Sequence, residues 1–124
     1  MKIAECNVVA NVAVKDLAEG KKFYGETLGL KVDQDGPAGV AYSCGSGTLF
    51  VYEAPSAGSG QATCATWQVE GIEDVVKELA DKGVKFEHYD MPGSQWQGDV
   101  ATMGNMKAAW FKDPSGNILG LSQM

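Results

Sequence analysis

The stretch Ala109-Trp110-Phe111-Lys112-Asp113-Pro114-Ser115-Gly116-Asn117-Ile118-Leu119-Gly120-Leu121 reads as a β-hairpin. Two apolar runs flank Asp113-Pro114-Ser115-Gly116, where Pro and Gly suit the backbone angles of a tight turn. The pattern predicts strands over 107–112 and 117–122. A hairpin alone is marginal in water, so the rest of the chain must supply its partners.

Reading backwards, 63–69 is a strand and 72–79 a helix with Ile72, Val75, Val76 and Leu79 on one face. Gly83 is its C-cap, and 84–88 is the next strand. The first half repeats the plan. A strand over 8–14 leads to Asp16, a helix N-cap candidate. A helix over 17–28 carries Leu17, Phe23, Tyr24 and Leu28 and ends at Gly29; strands over 30–32, 40–44 and 48–53 follow. Val14-Lys15-Asp16-Leu17 corresponds to Val69-Glu70-Gly71-Ile72, and Gly29-Leu30-Lys31-Val32 to Gly83-Val84-Lys85-Phe86. The offset of about 55 positions is that of a duplicated supersecondary module. Each half reads βαβββ. Module one spans 1–56, a small-residue linker 57–61, and module two 62–124, together one domain over 1–124. Neither module can bury both its sheet and its helix alone, so they pair within the chain or across a dimer.

Composition narrows the function. With 44% apolar and 21% charged residues in 124, the chain folds. A net charge of −6 with scattered lysines disfavours nucleic acid. The apolar runs are short and the start, Met1-Lys2-Ile3-Ala4-Glu5-Cys6, lacks the apolar core of a signal peptide, which points to a cytoplasmic protein without a membrane partner. Cys6, Cys44 and Cys64 are odd in number and widely spaced, arguing against disulfides and against a zinc knuckle.

Four phrases, 16–31, Gly47-Thr48-Leu49-Phe50-Val51-Tyr52-Glu53, Lys82-Gly83-Val84-Lys85-Phe86 and 109–119, resemble in order and spacing the vicinal oxygen chelate superfamily. That superfamily includes glyoxalases, extradiol dioxygenases, fosfomycin-resistance enzymes and bleomycin-resistance proteins. The resemblance implies an α+β fold of two βαβββ modules whose curved sheets surround a cavity, usually in a homodimer. It also places the metal ligands of metal-dependent members on Val9, Phe50, Cys64 and Gly120, the last a Glu in those members. Val, Phe and Gly offer no donor, and one thiol does not hold zinc. An alignment slip onto Glu53 restores a single ligand. The implied protein is therefore a metal-free, cofactor-free member in which metal-dependent glyoxalase or dioxygenase activity is not expected, whether or not it is an enzyme of another kind.

Strand alternation carries the cavity face from these anchors through Val9, Asn11 and Ala13; Thr48, Phe50 and Tyr52; Cys64, Thr66 and Gln68; Ala108 and Trp110; Ile118 and Gly120. Asn11, Phe50, Tyr52, Cys64, Thr66, Gln68, His88, Trp96, Trp110 and Ile118 are the ligand-binding candidates. The lining suits a small organic molecule, aromatic or cationic, held by sequestration as bleomycin-resistance proteins do. Two alternatives stand beside it. His88, with Asp90 or Glu53, could serve a cofactor-independent isomerase or lyase. The aromatics could also simply fill the interior of a structural or regulatory dimer. Cys64 is either a nucleophile or, more commonly for a buried thiol, a small hydrophobe. The segment 89–105, with Met91, Trp96, Val100 and Met103 among glycines, reads as a long loop that covers the cavity or docks onto a second copy.

Overall fold

A computed structural model describes residues 1–90 and 92–124; Met91, one of the apolar residues of the 89–105 segment, lies outside the described residues. Strand β1, Val9–Val14, runs into Asp16, whose Oδ1 accepts the N–H groups of Ala18 and Glu19 at 2.9 and 3.3 Å. Glu53 adds a second cap, its Oε2 accepting the Leu17 N–H at 2.9 Å. Helix α1, Leu17–Lys22, therefore starts where the sequence places it. It does not continue as one helix to Leu28. A π-helical turn, Phe23–Thr27, takes over, and there the consecutive rings of Phe23 and Tyr24 meet edge to face at 5.2 Å.

Strands β2 (Lys31–Gly36), β3 (Gly39–Cys44) and β4 (Gly47–Glu53) complete the first sheet, in the order β1-β4-β3-β2 with β1 parallel to β4. The second half repeats this with β5 (Thr63–Gln68) parallel to β10 (Ile118–Gln123) and antiparallel β9 (Met106–Lys112) beside it. Helix α2, Ile72–Asp81, follows β5. The order is β5-β10-β9-β8-β7, with the short β6 (Phe86–Glu87) also pairing with β9. The fold is α+β, two sheets with few helices.

The expectation of a long covering loop over 89–105 is corrected here. Gln95–Gln97 (β7) and Val100–Met103 (β8) form a hairpin that extends the second sheet, and Val100 and Ala101 are buried in it. Polar and glycine-rich sequence masks these strands, because pairing with β9 decides them and intrinsic preference does not.

One hydrophobic core holds both halves. Val12, Val14, Tyr42, Leu49 and Val51 of the first sheet join Phe111, Leu119 and Leu121 of the second beneath Tyr24, Ile72, Val76 and Leu79 of the helical segments. A polar knot rivets the seam. Asp113, 5% exposed, accepts from Tyr24 Oη at 2.7 Å, Asn117 Nδ2 at 2.8 Å, and the Ser115 and Asn117 N–H groups at 3.0 and 2.8 Å. Asn117 Nδ2 also donates to Ala13 O at 2.7 Å, and Ser115 Oγ accepts from Lys15 N–H at 2.9 Å. Between the halves, Ala57 is buried and Gly58, at φ +75°, leaves no room for a side chain: a Cβ there would run into Ser115 O.

Candidate functional site

The strand faces turned away from the helices carry the aromatic site candidates Phe50, Tyr52, Trp96 and Trp110, while Tyr42 and Phe111 face the core. On β4, Leu49 and Val51 point into the core while Phe50 and Tyr52 stay part-buried on the other face. Their rings lie side by side, 6.0 Å apart and 16° from parallel, and form a flat wall. Asn11 is opposite Phe50 in the register, but its Nδ2 donates to Val9 O at 3.2 Å, folded back on its own strand.

On the second sheet, Trp110 is opposite Gly120, and Gly120 is opposite Thr66. The absence of a side chain at Gly120 makes room for its neighbours: a Cβ would stand 3.1 Å from Thr66 Oγ1 and 3.6 Å from Trp110 Cδ1. Trp96, delivered by β7, lies 6.1 Å from Trp110 with the indoles inclined at 53°. His88 stacks on Trp96 at 4.1 Å and 8°. Its Nε2 is 2.8 Å from Asp99 Oδ1, in the turn between β7 and β8. Tyr89 closes the group at Trp110, 5.8 Å away and 83° to it.

His88, Trp96 and Trp110 thus come together, while Phe50 and Tyr52 form a separate ring pair on the first sheet. The carboxylate facing His88 is Asp99, not Asp90 or Glu53; Glu53 is occupied as the cap of α1. Asp99 and Tyr89 were missed from sequence. Tyr89 adjoins His88 in a stretch that reads as loop, and Asp99 reaches His88 only because the 95–103 hairpin folds back.

The remaining candidates are spread from the flank of Gly120 outward. Ile118 is 8% exposed. Thr66 and Gln68 border a recess of about 790 Å³ near Leu30 and Trp67. Cys64 falls at a register shift: Ile118 pairs with Thr63 and Leu119 with Ala65, so strict alternation fails at this thiol. Its Sγ donates to Ile118 O at 3.4 Å. Against the expectation of a buried thiol, Cys64 is exposed as a residue; partial burial of its sulfur, then the charge of Asp113, pushes the thiol up, which keeps it protonated and a poor nucleophile.

The model of the Glyoxalase/Bleomycin resistance protein/Dioxygenase superfamily matches residues 3–121. The chain belongs to this superfamily. No curated protein matches it. Among solved structures it is similar to TnmS3, an antibiotic binding protein from Streptomyces sp. CB03234, at 21% identity over 99% of this chain and 98% of that one, with a TM-score of 0.73. It is similar to a glyoxalase/bleomycin resistance protein from the same source at 24% identity over 95% and 100%, TM-score 0.65. Lactoylglutathione lyase from Agrobacterium tumefaciens shares 14% identity over 98% and 96%, TM-score 0.71. At such identities the likeness is one of fold. One superfamily fold thus carries both a binder and a lyase, and the side chains must decide between them.

For the metal of the metal-dependent superfamily members, the donor set does not fit. Val9, Phe50 and Gly120 offer no ligand atom, and even a Cβ at position 120 would press on Thr66 Oγ1 at 3.1 Å. Among the described residues no three His, Cys, Asp or Glu gather closely enough to hold a metal ion. No helix among them is long and apolar enough to cross a membrane.

Proposed function

We propose that this superfamily member binds a small planar aromatic molecule on the sheet face opposite the helices, without a metal, and acts by sequestration. The observation that carries the reading is the contiguous group His88, Trp96, Trp110 and Tyr89, whose two indoles remain part-exposed on a face the core does not use. Covering such rings with a flat ligand recovers about 25 cal/mol for each Å² of apolar surface removed from water. The antibiotic-binding description of TnmS3 supports binding of a small molecule, without bearing on its shape. We also propose a homodimer as the working form, since β2 and β7 end the two sheets and, among the described residues, each pairs with a single neighbour, leaving strand edges to cover.

Titrating planar aromatic compounds against tryptophan fluorescence tests the reading. Trp110→Ala should weaken any bound compound roughly ten- to a hundredfold. If that variant melts many degrees lower while no compound in a broad set binds the parent, Trp110 is packing and the reading fails. The 2.8 Å His88–Asp99 contact supports a second reading, a cofactor-independent isomerase or lyase with His88 as the proton carrier. It requires His88→Gln to abolish turnover of a bound compound while sparing its affinity.

A further inference from the structure

Tyr89 Oη is closed off from water, and it is the buried side-chain oxygen or nitrogen that lacks a hydrogen-bond partner among the described residues. A hydroxyl in this state is costly, and native structures seldom leave one without a reason. Here it belongs to a ring standing against Trp110, the indole at the centre of the proposed ligand face. The site thus contains an unused polar group beside its main stacking surface.

The chemistry of the missing partner follows from the surroundings. Burial in the first place, and the charge of Glu87 in the second, push the Tyr89 phenol up from its ordinary value. The phenol keeps its proton at neutral pH and can donate it, and the partner that uses this proton is an acceptor. The Glu87 carboxylate, part of the same shift, repels an anionic acceptor and favours a neutral oxygen. Rotation of the phenol toward a ligand on Trp110 gives up an edge contact and gains a hydrogen bond.

We propose that the ligand is a planar aromatic ketone or a close relative, whose carbonyl oxygen accepts a hydrogen bond from Tyr89 Oη while its rings lie against Trp110. This rests on the binding reading above and adds the functional group that the ligand must carry.

The test uses two probes of nearly the same outline, 9-fluorenone, which has a carbonyl, and fluorene, which does not. Their affinities are measured by tryptophan quenching for the parent, Tyr89→Phe and Trp110→Ala. The parent should prefer 9-fluorenone by about three- to tenfold, the worth of one neutral hydrogen bond. Tyr89→Phe should erase the preference by weakening 9-fluorenone alone, and Trp110→Ala should weaken both probes. The ligand-free Tyr89→Phe protein should melt no lower than the parent, because it loses a hydroxyl without a partner. If both probes bind but the parent shows no preference, or Tyr89→Phe retains it, the carbonyl inference falls and the binding reading stands. A lower melting temperature for Tyr89→Phe also overturns the inference, since it means that the hydroxyl is already bonded. If neither probe binds, or Trp110→Ala changes nothing, the binding reading fails and takes the inference with it.

Discussion

Asp113 carries four donors on its two oxygens, and the string Asp113-Pro114-Ser115-Gly116 discloses only the two that close the turn. The other two, from Tyr24 Oη and Asn117 Nδ2, link the turn to the π-helical turn that follows α1 and, through Ala13, to β1. Asp113→Ala should therefore cost about 3 kcal/mol or more in chemical denaturation, because it strands buried donors on both halves. Tyr24 gives this knot a pH dependence. Burial first, then the charge of Asp113, raises its phenol far above the ordinary value. A group whose folded pKa is raised stabilises the fold in full below its unfolded pKa, about 10, and loses that contribution progressively as pH climbs beyond it. Stability should fall above pH 10, and Tyr24→Phe, less stable at neutral pH, should show a shallower fall. Of these contacts the sequence reveals the Asp16 cap, a local bond between neighbours, and hides Asp113–Tyr24, which spans 89 positions. Cys64 shows the same limit, since a single bulge undoes the alternation that placed it on the cavity face.

Elements were legible in proportion to their periodicity. Helix α2 has Ile72, Val76 and Leu79 buried along one stripe, as its spacing requires. The first helix passes into a π-helical turn at Phe23, and nothing in its apolar spacing marks the change. The 95–103 hairpin was least legible, since Gln95, Gln97, Gly98 and Thr102 suggest a polar loop while Ala101 is 0% exposed. A mobile lid and a packed hairpin differ in hydrogen exchange. The amides of Val100–Met103 that pair with β9 should be protected to a degree comparable with β10, and exchange as fast as that of an open loop would refute the hairpin. The cap of α1 offers a second check at this scale. Asp16→Ala should cost about 1 kcal/mol, because it frees the Ala18 and Glu19 N–H groups while Glu53 still holds the Leu17 N–H.

For the whole molecule the internal repeat was the reliable guide to architecture, because correspondence between two halves survives errors at single positions. It does not say how the halves are closed off from solvent. The edge strands β1 and β5 lie against each other, whereas β2 in the first sheet and β7 in the second remain as outer edges, and the chain also exposes Ile3, Val8, Val9 and Val32. Unpaired edges and apolar side chains together favour association with a second copy. Sedimentation at tens of micromolar should show a dimer. Each chain brings a net charge of −6 to that contact, so screening by salt should strengthen association, the opposite of what an interface built on ion pairs would do. A monomer at these concentrations, at low and high salt alike, would remove the dimer and leave the ring group around Trp110 to act within a single chain.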